Sequence, residues 1–156
     1  MPPTASPWPP LAPAVTEGPD LAFAQAIAEL TNQARLANGL NPLAERSALV
    51  AAAQQYADLH AHLSPDRLDH GLNGSTIGSR AEADGYVGWT FLAENLVWCG
   101  FDPPLSPEDI VQLWLGSPAH RDNMLNPTVN ETGAGCYVSA AERPFRICVQ
   151  DFGARP

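Results

Sequence analysis

Apolar residues recur at helical spacing twice in the first half of the chain. Phe23, Ile27, Leu30, Ala34 and Ala37 follow one another at steps of three and four, which puts them on one face of a helix. Asp20 is a good N-cap for it, and Asn38-Gly39 supplies the left-handed residue that ends it. Asn41-Pro42-Leu43 makes a turn. Leu49, Ala53, Tyr56, His60 and Leu63 repeat the pattern, with Ala52 and Leu59 widening the stripe, so a second helix is expected from Ser47 to the Ser64-Pro65 stop.

The pattern then loosens. Residues 64–78 read as a loop rich in Gly, Asn, Ser and Asp, mobile in composition and carrying His70. A short helix near Ser79–Asp84 is closed by Gly85, and a short strand is expected near Asn95–Trp98, where Leu96, Val97 and Trp98 suit a half-buried pleated surface. Ser106-Pro107-Glu108-Asp109 is a strong helix opening: a cap, a proline at the first position and acids in the first turn. Ile110, Leu113 and Trp114 form its apolar face. Gly116 breaks it, and Ser117-Pro118 opens another helix that runs to Leu125. Residues 133–139 and 145–152 read as two strands joined by a turn over Ala140–Pro144. Helices and a small antiparallel sheet make this an α+β chain.

Length and charge narrow the function. The 156 residues suit one domain with one core. A formal charge of −9 repels phosphate backbones and anionic lipid surfaces, so nucleic acid is excluded as a natural partner. No apolar run is long enough to span a membrane. Residues 1–19 hold seven prolines and lack both the basic and the apolar region of a signal peptide. That composition favours an extended, disordered tail or linker, with the folded domain over 20–156. All eight basic residues are Arg, which together with the Ala, Pro and Gly content suggests a GC-rich bacterial genome.

The cysteines point to an oxidising compartment, secreted, periplasmic or at the cell surface. A hairpin centred on Glu142 sets Cys136 opposite Cys148, and directly opposed Cβ atoms close a disulfide at a non-hydrogen-bonded pair. Cys99 is left over, either buried or available for a bond between chains.

Three pieces carry candidate chemistry: His70, the pair Glu94-Asn95, and Ser117-Pro118-Ala119-His120-Arg121. Two imidazoles and a carboxylate hold a divalent metal if folding gathers them. His120 falls near the third position of a helix capped by Ser117, where the dipole disfavours a cation, so its ring is expected neutral. The local alternative is a histidine that helps to cap its own helix. Glu94 opens a hydrophobic strand, an awkward place for an acid without a partner. His60 lies on the apolar face of the second helix and reads as a core histidine with a hydrogen-bond partner. Ser117 and His120 lack a third group for nucleophilic catalysis. No HExxH, paired CxxC or phosphate-binding glycine loop is present.

Taken in order, a longer set of residues is highly specific. It comprises Asn32-x-x-Arg35, Gly39-x-x-Pro42-Leu43, His70, Arg80 with Gly85-Tyr86, and Glu94-Asn95-Leu96. Trp114-x-x-Ser117-Pro118-x-His120-Arg121-x-Asn123-Met124-Leu125, Gly133-x-Gly135 and Gln150-Asp151-Phe152-Gly153 complete it. The chain resembles the CAP superfamily (cysteine-rich secretory proteins, antigen 5 and pathogenesis-related proteins) over roughly residues 22–153, most nearly its bacterial SCP-like extracellular branch. The resemblance implies an α-β-α sandwich with a small antiparallel sheet between helical layers. It also implies a cleft of two His and two acids that binds Zn²⁺ or another divalent cation in several members. Here His70, Glu94 and His120 would be the metal ligands, with Asn95 and Ser117 lining the cleft. Ser117 stands about where the second acid would be, which weakens the expected affinity. Three functions follow as expectations: a secreted binding module for a metal and a small or lipid-like ligand; a zinc-dependent hydrolase with Glu94 as general base; or a structural domain whose His/Glu cluster only ties loops together.

Overall fold

Strand β3 (Phe91–Gly100), β4 (Glu131–Ser139) and β5 (Phe145–Ala154) form the centre of an antiparallel sheet in which β5 lies between the other two. The computed structural model describes residues 14–156. β1 (Gly18–Pro19) pairs with one end of the outer edge of β4 and β2 (Ala44–Glu45) with the other. Between them, the Gln54 side chain takes up the backbone of Cys136, donating to its carbonyl at 2.7 Å and accepting from its N–H at 3.2 Å. Together they occupy most of the outer β4 edge, which leaves little of it for another chain to pair with.

Helices cover both faces. α1 (Leu21–Ala37) and α4 (Pro107–Leu115) bury Ile27, Ile110 and Trp114 against Ala93, Val97, Cys136, Cys148 and Phe152. α2 (Ser47–Leu63) buries Ala53, Tyr56 and Ala57 against Leu96, Ile147 and Val149 on the opposite face. Alternate residues of each strand thus serve opposite layers, as the pleat requires. α3 (Ile77–Ala83) packs beside α2, and α5 (Pro118–Met124) sits at the edge of β3. The α-β-α sandwich is the fold expected from the sequence.

Two glycines let α2 lie close on β4. A Cβ on Gly133 would fall 2.2 Å from Val50 N, and one on Gly135 would fall 2.3 Å from both Gln54 N and Gln54 Cα. Backbone atoms cannot move aside, so only glycine fits there. Cys136 and Cys148 are opposed in the β4–β5 register and joined by a disulfide on the α1 face. Cys99 is buried. At the other end of the hairpin, buried Glu131 collects Tyr86 Oη at 2.5 Å, Arg155 Nε and Nη2 at 2.8 and 3.0 Å, and Arg46 Nε. Arg155 and Tyr86 hydrogen bonds, in that order of effect, lower its carboxyl to about 2 against the cost of burial.

Several elements are longer or earlier than their sequence signals. β3 runs for ten residues, because its whole length pairs with β5; Glu94 and Asn95 interrupt the apolar pattern at its middle, not at its start. β4 and β5 likewise extend to Glu131 and Ala154. α3 begins at Ile77 with a Thr76–Ser79 capping box. The stretch expected to be a tail over 1–19 contributes Gly18–Pro19 to the sheet, and its residues 1–13 lie outside the described residues.

Candidate functional site: a buried carboxylate at the sheet edge

β3 is an edge strand, and α4 and α5 close that edge through side chains. Trp114 Nε1–H donates to Leu96 O at 3.1 Å and Asn123 Nδ2 donates to Glu94 O at 3.4 Å. These carbonyls point away from β5 and would otherwise face no donor. Asn95, fully buried, adds a second tie: it donates to His120 O at 3.1 Å and accepts from Asn123 Nδ2 at 2.9 Å. The helix that carries His120 is therefore fixed to the strand residues beside Glu94.

Glu94 projects to the α2 face, and its carboxylate is wholly buried. His70 Nδ1–H donates to Oε1 at 2.8 Å, and Arg80 Nη2 donates to Oε2 at 2.7 Å. Arg80 also holds His70 O at 3.1 Å and Ser75 Oγ at 2.8 Å, and its guanidinium lies 3.5 Å from the centroid of the Tyr56 ring. Such stacking on a desolvated ring adds to the ion pair. The Glu94 bond raises the pKa of His70 above the usual histidine value, with burial opposing it.

The His70 loop is held rather than loose. His60 Nε2 accepts from Asp69 N–H at 2.9 Å. Tyr56 Oη donates to Asp69 O and accepts from Leu72 N–H at 3.2 Å. Tyr56 and His60 are one turn apart on α2 and grip the loop on both sides of His70. His60 is thus the buried, partnered histidine expected from its place on the helix, and burial lowers its pKa.

Asp151 stands directly opposite Glu94 in the β3–β5 ladder and is buried. Its Oδ1 receives no hydrogen bond among the described residues. Burial first, then the charge and hydrogen bonding of Glu94, raise its pKa well above the usual carboxylate range. A second buried charge beside Glu94 would cost several kcal/mol, so Asp151 keeps its proton and the pair carries one negative charge, facing Arg80.

His120 Nδ1 and Ser117 Oγ share a hydrogen bond at 2.9 Å, so Ser117 caps α5 without its side chain bonding the helix backbone. The pKa of His120 is lowered, as expected, but the leading causes are burial and then the charge of His70. Among the described residues no group of three or more His, Cys, Asp or Glu has the arrangement of a metal site. Glu94 has both oxygens occupied by His70 and Arg80. Asn95 acts as a tie for α5, and His62 lies elsewhere, on the exposed side of α2 beside Asp58.

A model of the cysteine-rich secretory protein family, CAP, matches residues 28–152. The chain belongs to that family. This CAP domain is 30% identical over 121 residues to the uncharacterized protein YkwD of Bacillus subtilis (strain 168), covering 76% of this chain and 44% of that protein. It thus spans less than half the length of the curated relative it matches. Its fold is similar to that of an outer surface protein from Borrelia burgdorferi (TM-score 0.71, 21% identity, covering 85% of this chain and 92% of that one). It is also similar to NaASP2 solved with Zn²⁺ (TM-score 0.59, 15% identity, covering 92% of this chain and 85% of that one).

Arg80, Asp151 and Tyr56 are the members of the site that the sequence alone did not mark as such. Arg80 and Asp151 were part of the family pattern without a role, and Tyr56 read as helix core. Asp151 had one usable signal, an acid next to Phe152 in a strand that also carries Ile147, Cys148 and Val149.

Proposed function

We propose that this CAP domain is a secreted, non-catalytic binding module that offers the Nε2 atoms of His70 and His120 to a divalent cation, zinc by donor chemistry. The observation that carries the reading is the Glu94 Oε1–His70 Nδ1 bond. A carboxylate that takes the Nδ1–H of an imidazole fixes its tautomer and leaves Nε2 as a lone-pair donor, the usual outer support of a metal-bound histidine. Glu94 then orients a ligand instead of being one. His120 is placed for the same role when its Nδ1–H donates to Ser117. Two protein nitrogens fit zinc in part, with water completing the shell, so weak affinity is expected. Beside His70 a groove of about 670 Å³, walled by Ile77, Trp89 and Leu92, suits a small apolar or lipid-like group. The disulfide supports an oxidising location, and no described helix is long and apolar enough to cross a membrane.

Zinc titration calorimetry on chelator-treated protein tests this. One-to-one binding lost in both His70→Ala and His120→Ala supports it. No heat and no shift in melting temperature would leave the structural reading, which the complete burial and double occupation of the Glu94 carboxylate favour. The same occupation argues against Glu94 as a general base. Turnover of an ester or peptide panel that Glu94→Gln abolishes would restore the hydrolase.

A further inference from the structure

At the Gly100 end of β3 lies a second hollow, a cavity of about 820 Å³ on the surface. Its walls include Trp98, Phe101, Pro104, Pro144 and Val15. Trp98 is 45% exposed, yet its ring is fixed by stacking on Phe145 at 5.8 Å and 22°. Phe101 is held by Arg146, whose guanidinium lies 5.0 Å from its centroid. Rigid aromatic walls with proline between them are the surfaces that take proline-rich segments in the polyproline II form.

The chain carries such a segment at the entrance. β1 runs antiparallel to β4, with Gly18 opposite Val138 and Pro19 opposite Tyr137. Followed backwards from Gly18, the chain therefore heads for the β4–β5 turn. Val15 reaches the cavity wall there, beside Pro144 of that turn. Residues 2–13, immediately upstream and outside the described residues, contain six prolines, and residues 1–13 contain no charged side chain. Three of the prolines, Pro7, Pro10 and Pro13, recur every third residue. Polyproline II has three residues per turn and a rise of about 3.1 Å per residue, so twelve residues in that form would reach roughly 37 Å. A tether this short holds the segment at millimolar effective concentration, enough for a weak docking contact to be populated.

We propose that the Trp98–Phe101 groove is the docking site of the chain's own proline-rich segment, residues 2–13. The test uses the full chain with a nitroxide at Thr4→Cys, Cys99 being buried and the other two cysteines bonded to each other. Amide signals of Trp98 and Arg143 are expected to be lost, while those of Gly88 and Ala154, at the other end of the sheet, persist. The loss should vanish in Trp98→Ala and in the triple variant Pro7→Gly, Pro10→Gly, Pro13→Gly, which leaves the folded domain untouched. Signals unaffected by the label, or a loss that survives the triple variant, overturn the proposal. So does a loss seen only between labelled and isotope-enriched chains in a mixture, which would assign the groove to a second copy's segment.

Discussion

Replacing Asp151 by Asn should make the protein more stable at neutral pH, not less. Asp151 is buried against Glu94, and its pKa is raised by burial and by that neighbour. An unfolded aspartate titrates at about 3.9. Between that value and the folded one, the folded state holds a proton that the unfolded state has released. Stability therefore falls as pH rises through this window, by about 1.4 kcal/mol per pH unit. It is fully present below about pH 3.9 and lost once pH passes the folded value. Asn has the same shape, and its amide donates to Glu94 as the protonated carboxyl does, so the two proteins should agree within about 1 kcal/mol near pH 4. Above that, Asp151→Asn should gain on the parent at the stated slope. Urea unfolding of chelator-treated parent and variant at several pH values from about 4 to 7 measures the difference directly. His70, also raised, adds a decline above about pH 6.5 that both proteins share. A difference that stays flat across the range would sink the shared-proton account, for it would mean that Asp151 is ionised in the folded protein.

Other consequences are simpler. Gly135→Ala drives a methyl group to 2.3 Å from the backbone of Gln54 and should cost about 1–3 kcal/mol or more, whereas Gly116→Ala, at right-handed φ with its nearest neighbour at 3.4 Å, should be neutral or slightly stabilising; melting temperatures of the pair decide. The double variant Cys136→Ala, Cys148→Ala opens a loop of sequence separation 12 and should lose about 3 kcal/mol in urea relative to the oxidised parent, and much less relative to a parent unfolded in reducing buffer, which has lost the same bond. The Glu131 carboxyl, lowered to about 2 by Arg155 and Tyr86, contributes stability above the ordinary value of 4.5 that is lost as pH falls towards 2. Up to about 3 kcal/mol is at stake, trimmed by solvent at half-exposed Arg46, and Glu131→Gln should flatten this acid limb of an unfolding series.

Helices and the late hairpin were legible because their signals are local. Caps at Asp20 and Ser106, the Gly39 and Gly116 stops and the spacing on α1 and α2 each act within a few residues, and the hairpin turn alone sets Cys136 against Cys148. The site was only half legible, for a reason that lies in β3. Its partner is β5, about fifty residues on and joined to it through α4, α5 and β4, so no turn fixes the register that sets Glu94 against Asp151. Even the strand's length was hidden, since its polar centre reads as a break.

That polar centre is what the rest of the site is built on. An edge strand in this position needs its outward carbonyls met and its side chains covered, and a plain apolar strand would supply neither. Glu94 and Asn95 divide the task by the pleat. On one face Glu94 gathers Arg80 and His70 and so fastens the loop that α2 grips through Tyr56 and His60. On the other Asn95 fastens α5, the helix that carries His120. The placement of both histidine-bearing segments, the His70 loop and α5, thus follows from how the edge is closed. Replacing Asn95 should move His120 without touching Glu94. An Asn95→Ala variant in which the His120 ring keeps its proton shifts while α5 is released would show that His120 is positioned by something other than the strand.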